Sequence, residues 1–313
     1  MSPDVSVITP TRNRAGMLAR CLRYLCGQTL APDRYEVLVV DDASSDETPA
    51  VLADAARTAP CAVRAFHLDK RRGVPGARNH AISQARGNVL VFVDSDNFAV
   101  PSFLEAHLAV HEVHGRAIGR GPVIQTRSLD EPFAVRGGLL DVSTAFFDTD
   151  NASVRREHLA TAGAFDETFY PYGWEGLDLG FRLRALGLRR IYRRDAALYH
   201  YQEPVSPGSL TGLLTKEEER ARTARLFYAK HRTLEARLAL QLTPFHLAFN
   251  AVQRVFGLVH PGNVDAWVRR AERAGLPGLG RLLLSGVLNA RYLAQLYASV
   301  EAPQRRLRGA GGG

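Results

Sequence analysis

Short apolar runs alternate with helical segments over residues 5–93, and this alternation constrains the fold more than any other feature. Each run is short, apolar and rich in Val or Ile, which is typical of buried strands. A strand–helix–strand order that repeats favours an α/β fold, in which helices cover both faces of a mostly parallel sheet. The predicted strands are 5–9, 36–40, 63–68 and 89–93, and the predicted helices are 15–27, 46–57 and 75–86.

The pattern changes twice further along the chain. Residues 117–147 are less regular and favour antiparallel strands, and after residue 208 the segments become helical. We therefore predict an α/β domain over 1–208 and a basic helical extension over 209–313, which ends in a flexible glycine-rich tail. The remaining predicted elements are helices at 155–163 and 174–186, a returning strand at 189–201, and helices at 215–231, 245–258, 264–274 and 279–300.

Acidic residues follow the second and fourth predicted strands, at the edge where parallel sheets bind their ligands. Asp94 and Asp96 come directly after the fourth strand. Their oxygens suit manganese or magnesium, and such a cation would neutralise the charge that builds up on a departing phosphate. We expect Asp96 to be a metal ligand and Asp94 to hold a ribose or the hydration shell of the metal.

The second strand ends in Asp41 and Asp42. A carboxylate at this position can accept hydrogen bonds from the imino and hydroxyl groups of a nucleoside. Asp46, a few residues on, is better explained as a helix cap.

The charge of the chain favours partners that carry phosphate, since 40 basic residues face 32 acidic ones and the net charge is +8. Charge alone leaves nucleic acid, anionic lipid and phosphorylated small molecules open. The C-terminal helices lack interleaved aromatic residues and nucleic-acid motifs, so we expect no nucleic-acid partner. A nicotinamide-dependent oxidoreductase is excluded because the turn at residues 9–14 has no glycine to admit a pyrophosphate.

Four motifs in this order resemble glycosyltransferase family 2, and the likeness covers residues 4–202. The resemblance implies a GT-A-type fold with a Rossmann-like sheet, a nucleotide-sugar donor, a divalent metal (manganese or magnesium) and inversion at the anomeric carbon. The motifs are VSVITPTRNR at 5–14, VVDDASSD at 39–46, GARN at 76–79 and VDSD at 93–96.

Residues of the donor site follow from the same resemblance. It implies that Thr9 and Asp42 contact the nucleoside, and that Arg78 lines the donor pocket. The residues assigned to the donor nucleotide are Thr9, Pro10, Arg12, Asp41, Asp42, Arg78 and Asp94.

The metal site that the resemblance implies is the D-x-D pair of Asp94 and Asp96. His200 lies near the end of the last predicted sheet strand, where many GT-A enzymes place a histidine as a further metal ligand. A lone histidine is as commonly structural, so both interpretations stay open.

The segment 173–182 resembles the Glu-Asp helix whose carboxylate deprotonates the acceptor hydroxyl in this family. In this chain Glu175 is followed by Gly176, and the next acid is Asp178. Glu175 is therefore the first candidate for the general base and Asp178 the second. On the acceptor side, Asn151 lies in a segment that resembles the acceptor-shaping region, and Trp174 could stack on a sugar and desolvate the carboxylate.

These assignments predict a transferase that moves a sugar from a nucleotide-diphosphate donor to a hydroxyl acceptor. The donor is a UDP-sugar by resemblance, and the acceptor is a glycan or a lipid-linked glycan, as in polysaccharide biosynthesis. The alternative is a non-catalytic nucleotide-sugar-binding protein whose base motif has degenerated at Gly176.

Location is inferred from what the sequence contains at its start and from its cysteines. Residues 1–9 enter a strand without an apolar leader, and the three cysteines lack metal or disulfide spacing, so we expect a cytoplasmic protein. Arginines beside the apolar residues at 279–284 fit a helix lying on the inner face of an anionic membrane. A helical lid or a dimer surface explains them equally well.

Overall fold

The computed structural model describes residues 2–135, 145–203 and 207–307. The strands are β1 (Val5–Thr11), β2 (Tyr35–Asp41), β3 (Ala62–His67), β4 (Val89–Phe92), β5 (Asn97–Ala99), β6 (Ala117–Arg120), β7 (Val123–Thr126), β8 (Ala152–Arg155), β9 (Arg189–Tyr192) and β10 (Leu198–Tyr201). The helices are α1 (Ala15–Leu25), α2 (Thr48–Thr58), α3 (Gly73–Gln84), α4 (Phe103–Val113), α5 (Arg156–Ala162), α6 (Glu175–Ala185), α7 (Pro207–Lys230), α8 (Leu234–Ala239), α9 (Pro244–Gln253), α10 (Val264–Arg273) and α11 (Pro277–Leu307).

The chain forms two compact units. The first contains Met1–Pro171 and Glu175–Glu203, and the second contains Tyr172–Trp174 together with Pro204–Gly313. The boundary predicted near residue 208 did not foresee that Tyr172–Trp174 belong to the second unit. The predicted glycine-rich tail, the junction 204–206 and the part of the irregular region at 136–144 lie outside the described residues.

The first unit is built on a seven-stranded sheet with the order β3-β2-β1-β4-β8-β6-β9. The adjacent strands β3, β2, β1 and β4 pair in parallel, and so do β6 and β9. Strand β8 runs antiparallel to both of its neighbours, β4 and β6. The predicted mostly parallel α/β sheet is therefore confirmed. A second, three-stranded sheet has the order β5-β10-β7.

Helices cover both faces of the large sheet because successive strand residues point to opposite sides. Val37 and Val39 of β2 pack on the side of α1, α2 and α4. Leu38 and Val40 pack on the side of α3, α5 and α6. All four side chains are fully buried, and each such burial stabilises the fold by roughly 1.5–3 kcal/mol.

The later strands differ from the prediction in two places. The single strand predicted over 189–201 is two strands, β9 and β10, which lie in different sheets. A turn separates them, in which the Arg193 guanidinium pairs with the Asp195 carboxylate, with Nε 2.9 Å from Oδ1. Strand β8 was not predicted, because its four residues, Ala-Ser-Val-Arg, give too short an apolar pattern to be seen.

Asp46 organises the start of two helices, which extends its predicted role as a cap. Its carboxylate accepts the amide of Ala15 at 3.1 Å and the amide of Thr48 at 3.0 Å, and these are the first residues of α1 and α2. Negative charge at a helix N-terminus is stabilising because it satisfies amides that have no partner within the helix.

The second unit consists of helices α7 to α11 and the segment Tyr172–Trp174. Its core includes the buried residues Val264 and Val268 of α10 and Leu283 and Val287 of α11. None of the helices in the described parts of the chain combines the length and the apolar character that a membrane span requires.

A buried histidine pair links α4 to β8. The His107 ring contacts the Ser153 hydroxyl through Nδ1 at 2.8 Å and the Asn151 amide oxygen through Nε2 at 3.0 Å, and His111 Nε2 lies 2.8 Å from the same hydroxyl. Burial lowers the pKa of His107 to about 4 and that of His111, which also feels the charge of His107, to about 3. Both rings are therefore neutral in the folded protein at neutral pH.

Acidification is predicted to destabilise the fold through this pair. Because the folded pKa values lie below the unfolded value of 6.5, the unfolded chain binds protons that the folded chain refuses as the pH falls. The free energy of unfolding should drop by about 1.4 kcal/mol per pH unit for each histidine between about pH 6.5 and pH 4. Urea unfolding across this range measures the slope. His111→Gln should flatten it, whereas His114→Gln, at an exposed position, should not; equal slopes in all three proteins would contradict the account.

Candidate active site

Arg78 joins three elements of the first unit. The side chain projects from α3 and is 2% exposed. Its guanidinium donates to Oδ1 of Asp94, after β4, at 2.7 Å and to Oε1 of Glu175, the first residue of α6, at 3.1 Å. Burial opposes a charged guanidinium, but the two carboxylates outweigh it, so the pKa of Arg78 is raised. A predicted metal-site residue and the predicted base are thus held by one cation.

Asp96 lies between two further basic side chains. Its Oδ2 contacts the Arg14 guanidinium and lies 3.6 Å from Nε2 of His200. Burial alone would raise the pKa of Asp96, yet His200 and Arg14 hold it well below its usual range. Burial likewise opposes a charged His200, but the Asp96 carboxylate outweighs it, and the pKa of His200 is raised.

Asp150 adds negative charge to the same cluster. Its pKa lies well above the ordinary value because the carboxyl is buried and because the charges of Asp94 and Asp148 oppose its ionisation. Asp148 itself pairs with the buried Arg120, with Nη2 3.1 Å from Oδ2. The neighbouring arginines therefore do not fully offset the negative charge of these carboxylates, and the site favours an additional cation.

Strand register explains why these residues meet. Phe92, the last residue of β4, pairs with Ala152, the first residue of β8. Asp94 therefore leaves the sheet at the edge where Asp150 enters it. In the small sheet His200 pairs with Asn97, which places the histidine beside Asp96.

Three residues of the cluster were not predicted as site residues from the sequence: Arg14, Asp148 and Asp150. Arg14 was quoted only within a motif, although its position after β1 puts it at the ligand edge of the sheet. The two aspartates directly precede β8, and recognition of that strand would have been the signal that brings them to Asp94.

The two carboxylates assigned to the nucleoside are also used to build loops. Asp42 accepts the amides of Arg72 at 2.6 Å and Gly73 at 2.9 Å, and so holds the start of α3. Asp41 accepts the amide of Ser44 at 3.0 Å and contacts His67 Nδ1 at 2.8 Å. A contact between these aspartates and a nucleoside stays a prediction.

The remaining residues assigned to the donor lie on β1 and in the loop that follows it. Thr9 is fully buried, and its hydroxyl has no hydrogen-bond partner in the described part of the chain. Such a hydroxyl is costly unless it gains a partner, which a polar ligand could supply. Pro10 is buried in the same strand, and Arg12 is exposed in the loop.

The structure separates the two candidate bases. Glu175 is 4% exposed and lies in the Arg78 cluster. Asp178, one turn later in α6, pairs with Arg182 at 2.8 Å. Arg182 also donates to the backbone carbonyls of residues 162–164, so this pair joins α6 to the end of α5. Of the two acids, Glu175 is the one bonded to the same guanidinium as Asp94, and its role as the base stays a prediction.

Gly176, where the family pattern has an acid, lies in a confined place. A Cβ atom at this position would come within 3.1 Å of the Thr149 methyl group. A larger side chain would therefore require Thr149 to shift.

Neither residue assigned to the acceptor has an unengaged side chain. The Asn151 amide donates to the carbonyls of Pro122 at 3.0 Å and Ala196 at 2.9 Å, and its oxygen faces His107. Trp174 belongs to the second unit, where its ring stacks on Phe227 at a centroid distance of 5.6 Å. Their roles at an acceptor stay predictions.

The predicted metal site was tested against the donor atoms present. Among the described residues, no three His, Cys, Asp or Glu side chains are already arranged around one point. Asp94, Asp96 and Asp150 nevertheless supply the oxygen donors that manganese or magnesium prefers, and a cation beside them would favour the ionised form of Asp150, whose pKa burial and the neighbouring carboxylates raise. The residues therefore fit a divalent cation, provided that Arg14 leaves Asp96.

About half of the chain matches a known protein family. Residues 6–160 match the family model described as Glycosyl transferase family 2. This part of the chain, residues 6–160, belongs to the family. The match includes Arg14, Arg78 and the D-x-D pair and ends before α6, so it does not cover Glu175.

Two curated relatives show how far the likeness to family 2 extends. The uncharacterized glycosyltransferase YfnE of Bacillus subtilis (strain 168) is 27% identical over 257 residues, which is 64% of this chain and 65% of YfnE. Validoxylamine A glucosyltransferase of Streptomyces hygroscopicus subsp. limoneus is 30% identical over 233 residues, which is 62% of this chain and 51% of the relative. The chain thus spans between about half and two thirds of the length of these relatives.

A solved structure supports the fold assignment. The mannosyltransferase PcManGT from Pyrobaculum calidifontis, in complex with GDP-Man and Mn2+, superposes with a TM-score of 0.60 at 20% sequence identity. The superposition covers 94% of this chain and 88% of that one. Similarity at this level of identity shows the fold, and the predicted GT-A-type architecture is confirmed.

Removal of the buried guanidinium is predicted to cost far more stability than removal of an exposed one. Arg78→Met leaves two carboxylates without their shared partner, and the free energy of unfolding should fall by about 3–5 kcal/mol. Arg57→Met is the control, because Arg57 pairs with Asp54 on an exposed surface and should lose less than about 1 kcal/mol. Urea unfolding measures both. Similar small losses would show that Arg78 does not hold the cluster together.

Proposed function

We propose that this protein transfers a sugar from a nucleotide-diphosphate donor to a hydroxyl acceptor at the Arg78 cluster. The observation that carries the proposal is the bridge from Arg78 to both Asp94 and Glu175. An inverting transferase needs the leaving group and the base on opposite sides of one reacting carbon. The bridge places a D-x-D carboxylate and a candidate base around a single fixed side chain.

Each side chain has a distinct task in the proposed reaction. Glu175 accepts the proton of the acceptor hydroxyl as the new glycosidic bond forms, and Arg78 fixes the position of that carboxylate. Arg14 and Arg78 lie within the site and can pair with phosphate oxygens of the donor. Attack from the side opposite the leaving diphosphate gives inversion, which family resemblance supports.

A divalent cation, manganese or magnesium, would be held by Asp96 and Asp94, with Asp150 and His200 beside them. When bound, it would neutralise the charge that develops on the departing nucleoside diphosphate. The Mn2+ in the PcManGT complex supports this part of the proposal. His200 must lose its proton to act as a ligand, so metal binding there would be weaker at low pH.

The donor base and the acceptor belong to the proposal in a broader form. Family resemblance favours a UDP-sugar, while the GDP-Man in the PcManGT structure makes a guanosine donor the natural comparison. We keep a glycan or lipid-linked glycan as the acceptor class. We also keep a cytoplasmic location with peripheral membrane contact through the basic C-terminal helices.

Loss of the proposed base is predicted to stop transfer without weakening the donor site. Glu175→Gln keeps the size of the side chain and should lower the turnover number by roughly 100-fold to 10,000-fold. Nucleoside diphosphate release, measured over a panel of nucleotide sugars and hydroxyl acceptors, gives the rate, and calorimetry gives donor affinity. Asp178→Asn is the matched control in the same helix and should keep its rate per folded molecule.

The outcomes separate the two functions that the sequence left open. If Asp178→Asn rather than Glu175→Gln stops transfer, the base assignment is wrong. If a donor binds in an Asp96-dependent manner but no acceptor is glycosylated by the unaltered chain, the non-catalytic nucleotide-sugar-binding protein is correct.

Metal removal is predicted to abolish donor turnover reversibly. Chelation should remove activity because the cluster then lacks the cation that balances the diphosphate, and added manganese or magnesium should restore it. Asp96→Asn should not be restored by either metal. Full activity of the chelated protein would contradict the metal-dependent mechanism.

A further inference from the structure

Helix α9 of the second unit presents its apolar side outward. Its buried residues are both polar, Asn250 at 5% exposure and Gln253 at 6%. Phe245, Phe249 and Val252 follow an i, i+4, i+7 spacing, which puts them on one face. Their exposures are 72%, 46% and 57%. A helix on the surface of a water-soluble protein normally turns its apolar side inward and its polar side outward.

The packing of α9 fixes this orientation. The Asn250 amide donates to the carbonyl of Gly286 in α11 at 3.0 Å. Gln253 packs on the same glycine so closely that a Cβ atom on Gly286 would meet the Gln253 Cβ at 2.8 Å. Rotation of α9 to hide its apolar face would break the hydrogen bond and lose the close approach.

The turn after α9 extends the exposed apolar surface. Phe256 is 86% exposed and Leu258 is 68% exposed, whereas Val259 is buried in the helical core. Phe256 has a φ of 53°, a left-handed conformation that is uncommon for a large side chain. We define the α9 apolar surface as Phe245, Phe249, Val252, Phe256 and Leu258.

The charged residues in the chain segment that carries this surface have one sign. No Asp or Glu lies between Glu235 and Asp265, whereas Arg237 and Arg254 do lie in this interval. An apolar surface flanked by cations without acids matches the interface of an anionic lipid bilayer. We propose that the α9 apolar surface inserts into the headgroup region of anionic membranes and holds the protein there.

The length of α9 fits a position along the membrane interface. The helix has ten residues and is therefore about 15 Å long, half of the ~30 Å needed to cross the hydrocarbon core. It can lie along the interface but cannot span it.

This surface differs from the one that the sequence suggested. In the segment 279–284, Leu279 and Leu282 are exposed at 45% and 42%, but Leu283 is 5% exposed and belongs to the core with Val268. That segment therefore contributes to the core of the helical unit, and α9 carries the larger outward apolar face.

Vesicle binding by the full chain tests the proposal. The protein should sediment with vesicles of phosphatidylcholine mixed with phosphatidylglycerol and bind pure phosphatidylcholine more weakly, by roughly fivefold for each cation near the surface. Added sodium chloride should reduce binding to the mixed vesicles. Phe256→Ser should weaken binding by about tenfold or more, because a buried phenyl group is lost.

Val113→Ser is the matched control, because Val113 is 75% exposed on α4, away from the α9 apolar surface in the chain. It should bind vesicles as the unaltered chain does, and urea unfolding of both variants checks that they fold. If the protein binds neither kind of vesicle, the proposal is overturned. It is also overturned if Phe256→Ser and Val113→Ser lose vesicle binding equally. A dimer that Phe256→Ser dissociates while vesicles go unbound would overturn it as well. Since no donor is present, these outcomes leave the proposed sugar transfer untouched.

Discussion

The architecture of the site depends on one buried cation. Arg78 reaches from α3 to the end of β4 and the start of α6, where it bonds the partly exposed Asp94 and the buried Glu175. A buried charge is tolerable only when it is paired, and this holds for the Arg78 guanidinium and the Glu175 carboxylate alike. The three elements are therefore joined through one guanidinium.

The same cluster is built with more carboxylate than it can neutralise. Asp96 is balanced by Arg14 and His200, whereas burial and the charges of Asp94 and Asp148 raise the pKa of Asp150. Replacement of Asp150 by a neutral residue would stabilise the fold, so its presence indicates a functional role. In the proposed function, a bound divalent cation would offset the charge of the carboxylates, including Asp150, while the diphosphate would pair with Arg14 and Arg78.

Sequence reasoning predicted the parts of the fold that depend on local pattern. Strands β1 to β4 could be predicted because each contains a short apolar run, and the D-x-D pair because it directly follows β4. Strand β8 could not, since four residues of mixed polarity form a strand only between β4 and β6. Because β8 was not predicted, the position of Asp150 beside Asp94 could not be predicted either. The pairing of Asp178 with Arg182 was open to prediction, because the two residues are an i, i+4 pair on one helix. The inward turn of the polar side of α9 was not, because Asn250 finds its partner in Gly286 of α11.

The central claim is that Arg78 and its carboxylates form a metal-dependent nucleotide-sugar site of glycosyltransferase family 2. The most direct measurement is the anomalous scattering of manganese in crystals grown with Mn2+ and a nucleoside diphosphate. The account predicts a manganese peak against the Asp96 carboxylate, the diphosphate beside Arg14 and Arg78, and Glu175 still held by Arg78. A nucleotide bound elsewhere, or manganese absent from Asp96 while the nucleotide is present, would contradict it.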